Sequence, residues 1–130
     1  MIDALAWVHV VDGAMLAVRT KGREVFYLPG GKREPGESDE AALWREVHEE
    51  LGVRIRPDTL ALATVVVGPA HGQPDGTQVR MACYHAEHDG EPTPQREIAE
   101  LGWFTTSTAH HLAPAAHSLL THLHTTGHVS

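Results

Sequence analysis

The stretch YLPGGKREPGESDEAALWREVHEELGV, from Tyr27 to Val53, decides how the rest of this chain is interpreted. Its second half places three carboxylates, Glu46, Glu49 and Glu50, within five residues. Each residue of an α-helix turns the side-chain direction by about 100°, so these three carboxylates share about 100° of arc. Like charges at neighbouring helical positions repel, so a helix with this acidic stripe needs a compensating interaction.

The residues from Ser38 to Leu51 have the end signals of a helix. Ser38 is a favourable N-cap, and the acidic residues Asp39 and Glu40 suit the positive end of the helix dipole. Gly52 can adopt the left-handed conformation that ends a helix. The sequence therefore predicts a helix over 38–51.

The apolar face of this helix (Leu43, Val47 and Leu51) borders the acidic stripe. A carboxylate beside an apolar surface is partly desolvated, which makes its charge more costly. A divalent cation would offset this cost, and ligands that are all oxygen favour Mg²⁺ or Mn²⁺ over zinc. The alternative is an ordinary solvated acidic face. Arg45 lies one turn before Glu49 and is expected to pair with it.

A glycine-rich loop precedes the helix, with Gly30, Gly31 and Gly36. Glycine leaves the neighbouring peptide groups accessible, so that an N–H can face phosphate or a carbonyl can face a metal. Lys32 and Arg33 flank this loop. They are candidates for phosphate contact, and the equal alternative is that they are solvent-exposed charges.

Loop and helix together resemble the Nudix box, Gly-x5-Glu-x7-Arg-Glu-U-x-Glu-Glu-x-Gly-U, where U is aliphatic. Every defining position matches over the 23 residues from Gly31 to Val53. The matching residues are Gly31, Glu37, Arg45, Glu46, Val47, Glu49, Glu50, Gly52 and Val53. The resemblance implies an α/β Nudix fold, an α/β/α sandwich around a mixed β-sheet. It also implies an enzyme that hydrolyses a nucleoside diphosphate linked to a group X, with Mg²⁺ or Mn²⁺.

The resemblance also implies roles for individual residues. Glu49 and Glu50 correspond to the main metal ligands, and Glu46 to a ligand or general base. The carbonyl of Gly30 or Gly31 is implied as a further ligand. Arg45 is implied to serve catalysis by orienting a glutamate, and Glu37 to hold the loop onto the helix.

A further base or ligand in this family often comes from a glutamate outside the box. The segment PQREIAELGWF, residues 94–104, offers Glu97 and Glu100. We expect Glu97 to be the catalytic residue of the two because of its position before the last strand. Glu100 is the alternative, on the substrate side.

Composition narrows the class of protein. The 130 residues fit a single domain, 1–130, and the formal net charge of −7 argues against binding a nucleic-acid polymer. Cys83 is the only cysteine, which suits a reducing cytoplasm. The N-terminus lacks the pattern of a signal peptide, and no apolar run reaches the roughly 20 residues of a membrane span.

The expected partner is a small-molecule nucleotide, and the resemblance allows a homodimer.

Outside the box, the pattern predicts a mixed α/β domain. A turn at Asp12-Gly13 is expected to join two strands, and a loop over residues 69–78 to join two more. The predicted strands are 4–11, 15–19, 25–28, 60–67 (buried), 79–86 and 103–104, and a C-terminal helix is predicted over 112–124. Trp44 is expected to pack at the edge of the apolar face.

The sequence indicates the substrate less clearly than the class of reaction. The short chain resembles the MutT-like group, which favours cleavage of a nucleoside triphosphate to a monophosphate and pyrophosphate. A nucleotide sugar, a dinucleoside polyphosphate or a non-catalytic binding role remain alternatives. The chain has no Asn, which weakens the case for an oxidised guanine, although glutamines are present. Several aromatic residues could stack on a base or pack in the core: Trp7, Phe26, Tyr27, Tyr84 and Trp103.

Overall fold

The structure is a computed structural model that describes residues 1–130. It contains nine strands and two α-helices. The strands are β1 Ile2–Val8, β2 Val10–Val11, β3 Ala14–Thr20, β4 Gly30–Lys32, β5 Arg54–Ile55, β6 Ala61–Pro69, β7 Gln78–His85, β8 His88–Asp89 and β9 Ile98–Phe104. The helices are α1 Asp39–Leu51 and α2 Pro114–Thr125, and short 3₁₀ segments cover Pro57–Thr59 and Thr106–His111.

The strands form three sheets. The largest has the order β4-β1-β7-β6, in which β1 and β7 are parallel and the other pairs are antiparallel. A second, antiparallel sheet has the order β2-β3-β9, and β5 pairs with β8. The mixed α/β architecture predicted from the sequence is confirmed.

Two hydrophobic clusters lie on opposite faces of the sheets. Side chains alternate along a strand, so Leu5 and Trp7 of β1 pack with α1, whereas Ala6 and Val8 pack with α2. Strand β3 divides its side chains between the same two clusters. The central strands are therefore covered by a helix on each face, as in the expected α/β/α sandwich.

Helix α1 has the predicted ends. The Ala41 N–H donates to Ser38 Oγ at 3.1 Å, and Gly52 is left-handed with φ 69°. Its N–H donates to the carbonyl of His48 at 2.9 Å, which closes the last turn. The predicted apolar face is fully buried against the sheet.

Residues 4–11 do not form one strand as predicted. The strand breaks at His9, whose carbonyl accepts the Leu16 N–H at 2.9 Å, and the chain changes sheets there. Only β2 pairs with β3 across the Asp12-Gly13 turn. The two short runs look continuous in sequence because both are mostly apolar, although Val11 is exposed in the structure.

The strand predicted at residues 25–28 is also wrong. Tyr27 and Val18 exchange two backbone hydrogen bonds, of 2.7 and 2.8 Å, but no continuous ladder forms. The strand forms after the predicted segment, at Gly30–Lys32, where the glycines pair with β1. Gly30 has φ 142°, and a Cβ there would collide with the carbonyl oxygen of Leu5, so only glycine fits this close approach.

Three expectations about burial and helix ends need correction. Strand β6 is at the edge of its sheet and only Val66 is buried, while Leu62 and Val67 are each 55% exposed. Trp44, expected to pack at the edge of the apolar face, is exposed and stacks on His48, with ring centroids 4.8 Å apart. Helix α2 begins at Pro114 instead of residue 112, because proline fits best in the first turn.

Neither helix combines the length and the apolar character that crossing a bilayer requires.

An aromatic cluster surrounds His9 at the break between β1 and β2. Its ring stacks on Trp7 at 4.5 Å and meets His88 edge-on at 4.8 Å and Trp103 at 5.7 Å. Burial, together with repulsion from His88, lowers the pKa of His9 to about 4. The folded state therefore holds this imidazole neutral down to about pH 4.

From the low pKa of His9 we predict that the folded protein loses stability in acid. Between pH 6.5 and about 4 the unfolded chain binds a proton at His9 that the folded chain does not, so stability falls as the pH falls. Allowing for the partial exposure of His9, this loss is about 1–2 kcal/mol. The measurement is urea unfolding at pH 7 and pH 4.5 for the wild type and His9→Gln. The variant should lose less stability over this interval, and equal losses would contradict the assignment.

Candidate active site

The acidic stripe of α1 faces the glycine strand β4. The Gly30 N–H donates to Glu50 Oε1 at 3.0 Å. A Cβ added to Gly31 would lie 2.5 Å from Glu46 Oε2, so the carboxylate of Glu46 lies directly over that backbone. The backbone of β4 and the carboxylates of α1 therefore form one site, held in place by the pairing of β4 with β1.

The environment makes these carboxylates costly to ionise. Burial raises the pKa of Glu50 to about 8; repulsion from Glu46, Glu97 and Glu49 adds to this, against the hydrogen bond from Gly30. Burial also raises the pKa of Glu46, although Arg45 opposes the shift. The desolvation expected at the edge of the apolar face is thus present at Glu46 and Glu50.

The loop before β9 brings a fourth carboxylate to this group. Glu97 is close enough to Glu46 and Glu50 for its charge to raise the pKa of both. Its backbone carbonyl accepts the Lys21 N–H at 2.8 Å, which anchors the loop to the end of β3. Glu100 lies elsewhere, paired with Arg19 at 2.7 Å. Of the two glutamates considered from the sequence, only Glu97 joins the carboxylate group.

Arg45 connects the loop to the helix. Its Nε and Nη2 donate to the two carboxylate oxygens of Glu37 at 2.8 Å each, and its Nη1 donates to Glu46 Oε1 at 2.8 Å. The expected partner, Glu49, is not bonded to it, because the fork of Arg45 is already occupied by Glu37 and Glu46. The hydrogen bond from Arg45, with one from the Glu34 backbone, lowers the pKa of Glu37 to about 2.

The two cations beside the loop are directed away from the site. Arg33 pairs with Asp3 at 3.0 Å and with Asp39, and it also donates to the carbonyl of Glu37 at 3.2 Å. Lys32 is exposed, and its carbonyl accepts from Arg45 at 3.2 Å. Both line a shallow hollow with Asp3 and Glu34 instead of the cleft beside Glu50.

The donor set fits a hard divalent cation. As placed, no three carboxylate, imidazole or thiolate side chains are close enough together to chelate a metal ion. The groups at the site are nevertheless carboxylate and carbonyl oxygens, which Mg²⁺ and Mn²⁺ prefer. His48 is exposed and stacked on Trp44, so it is not part of the group.

A cleft of about 340 Å³ opens beside Glu50 and the two glycines. A smaller hollow of about 140 Å³ adjoins it and shares part of its wall. The hydroxyl of Tyr27 and Nδ1 of His71 are hydrogen-bonded at 2.6 Å, and both residues border the two spaces. The other residues that line the cleft are Val18, Thr20, Arg23, Leu28, Met81, Ala113, Ala115 and Ala116.

Sequence reasoning missed two of these polar residues, Arg23 and His71. They belong to different loops, and no motif marks either one. Of the aromatic residues proposed to stack on a base, only Tyr27 lines the cleft, whereas Trp7 is fully buried in the core.

Comparisons with known proteins all indicate the same family. The family model for the NUDIX domain matches residues 2–123 of this chain. A MutT-like protein of Streptomyces ambofaciens is 43% identical over 49 residues, which are 38% of this chain and 32% of that protein. The chain thus spans about a third of the length of this curated relative.

Solved structures match over most of the chain. The E. coli ORF135 protein has a TM-score of 0.75 and 26% identity, covering 96% of this chain and 89% of that one. The MutT NUDIX hydrolase from Burkholderia pseudomallei has a TM-score of 0.72 and 28% identity, covering 95% of both chains.

The closeness of Gly31 to Glu46 yields a test of the site. In Gly31→Ala the new methyl group must displace the Glu46 carboxylate, and we expect at least a tenfold loss of any Mg²⁺-dependent hydrolysis with the helix intact. Gly68→Ala is the matched control, since nothing lies within 4 Å of a Cβ at that position. Activity and circular dichroism of both variants give the answer. Equal activity in the two variants would show that Glu46 has no role in the site.

Proposed function

Because this chain belongs to the NUDIX-domain family, we propose that it is a hydrolase of phosphoric anhydrides that cleaves nucleoside diphosphate derivatives. The reaction we favour converts a nucleoside triphosphate to a monophosphate and pyrophosphate. The observation that carries this proposal is the crowding of Glu46 and Glu50 against the Gly30–Gly31 backbone beside a cleft, with Glu97 close enough for its charge to raise the pKa of both.

The proposed metal ligands are the carboxylates Glu46, Glu49 and Glu50, with the carbonyl of Gly30 or Gly31. When bound, Mg²⁺ or Mn²⁺ would neutralise phosphate charge and stabilise the departing phosphate. Crowded acids that resist ionisation on their own are suited to this role, because a cation compensates both their burial and their mutual repulsion.

The remaining residues are proposed to position groups and to move a proton. Arg45 fixes one oxygen of Glu46 at 2.8 Å, while its bonds to Glu37 hold the glycine loop against the helix. As the water oxygen attacks phosphorus and the P–O bond to the leaving phosphate breaks, a carboxylate accepts the water proton. Glu97 and Glu46 are the candidates for this base, a contribution of about 10²–10⁴ in rate.

The hollow next to the cleft supports one alternative substrate class. A nucleotide sugar or a dinucleoside polyphosphate has a second bulky group, and the additional 140 Å³ beyond Tyr27 and His71 offers space for part of it. A purely binding role is disfavoured because all three acidic positions of the stripe are retained.

The reaction is tested by its products and by its carboxylates. With Mg²⁺ and a panel of nucleotides, we expect pyrophosphate and a monophosphate from triphosphates. Glu49→Gln and Glu50→Gln should each reduce turnover by at least a hundredfold, since each loses a charged oxygen ligand. Glu40→Gln is the matched control, because Glu40 is an exposed residue in the first turn of the same helix. Two monophosphates as products would favour the alternative class, and full activity of both variants would refute the assignment.

Metal binding has its own readout in thermal unfolding. Mg²⁺ should raise the Tm, because a ligand that binds only the folded state stabilises it by about 2.7 kcal/mol at a hundred times its Kd. In Glu49→Gln the increase should be much smaller, whereas Glu40→Gln should respond like the wild type. If the wild type and Glu49→Gln gain equally, the cation binds elsewhere.

A further inference from the structure

Arg23 is a cleft residue whose charge is unused within the chain. Its side chain lines the cleft and takes part in none of the ion pairs of the structure. Its backbone is fixed, because its N–H donates to Thr20 at 3.0 Å and its carbonyl accepts from Arg19 at 3.0 Å. These bonds fix only the backbone, and the exposed guanidinium, which has no ion-pair partner, is available for a ligand.

The guanidinium of Arg23 lies against the loop between β6 and β7. A Cβ added to Gly72 would be 2.9 Å from Nη1 and 3.3 Å from Nη2, so the planar group rests on that glycine. The loop is closed by a hydrogen bond of 2.9 Å from the Ala70 N–H to the carbonyl of Thr77. The same loop supplies His71, which is bonded to Tyr27.

The surroundings of Arg23 suit a flat aromatic group better than a phosphate. Tyr27 contributes an aromatic ring, and Met81, Ala113 and Ala115 contribute apolar surface to the cleft. Such surfaces favour stacking and apolar contact with a base. Apart from Glu50 at the metal end and Arg23, no charged side chain lines the cleft.

On these grounds we infer that Arg23 is a specificity-determining residue that selects a keto purine, of the guanine type, as the base of the substrate. This inference rests on the proposed function, in that the ligand is a nucleotide. A guanidinium carries only donors, in a planar fork. Guanine offers two adjacent acceptors, O6 and N7, whereas adenine places an amino donor where guanine has O6. The guanidinium can therefore donate to both acceptors of guanine, whereas in adenine one of its donors would face the amino group.

The experiment compares GTP and ATP hydrolysis with Mg²⁺ by the wild type, Arg23→Met and Arg23→Lys. The wild type should favour GTP in kcat/KM by about tenfold to a hundredfold, the discrimination of one bidentate contact. Arg23→Met should lose this preference through a higher KM for GTP, with ATP hardly changed, and Arg23→Lys should keep only part of it. Arg54→Met is the control, since Arg54 is exposed and lines no cleft.

Two results would overturn the inference. An equal rise in KM for GTP and ATP in Arg23→Met would mean that Arg23 binds phosphate or ribose. An unchanged preference would mean that Arg23 does not contact the base.

A binding measurement separates this inference from the proposed function. Calorimetric titration of GMP and AMP without metal needs no turnover. If no nucleotide is hydrolysed, the proposed reaction fails, and tighter binding of GMP than of AMP, abolished in Arg23→Met, would still support the base contact. Equal binding of the two monophosphates, or no binding of either, would refute it.

Discussion

The crowding of carboxylates beside the apolar face of α1 is the constraint on which the site depends. Glu46 and Glu50 are pressed between the buried side of the helix and the Gly30–Gly31 backbone, where burial raises the pKa of both. The fold supports this costly arrangement from two sides. Pairing of β4 with β1 fixes the glycines, and the contacts of Arg45 with Glu37 and Glu46 fix the loop to the helix. On the proposed function, a divalent cation bound among the acids would compensate this cost.

Much of the helix and its neighbourhood could be predicted because the signals are local. Ser38 caps the helix, Gly52 ends it, and the 100° rotation per residue places the acids beside the apolar face. The strands were harder, because sheet membership depends on distant partners. The break at His9 and the exposure of β6 follow from which strand lies next to which, and alternation along the sequence does not contain that information.

The site shows the same division. The box carboxylates are close in sequence, so their common face was predictable. The partner of Arg45 was not, because Glu37 reaches it only through the fold of the loop. Glu97 and Glu100 looked almost equivalent in sequence, yet Glu100 lies on β9 opposite Arg19 and forms an ion pair with it, whereas Glu97 lies in the loop before the strand. Arg23 and His71 meet at the cleft from loops about fifty residues apart, and only the tertiary structure brings them together.

The central claim is that these acids form a divalent-cation site that also binds the diphosphate of a nucleotide. Its most direct test is anomalous diffraction from crystals grown with Mn²⁺ and a non-hydrolysable nucleoside triphosphate. The account predicts manganese peaks within coordination distance of Glu46, Glu49 and Glu50, with the phosphates bound to the metal in the cleft. Manganese and nucleotide bound elsewhere, with these three carboxylates free of both, would contradict it.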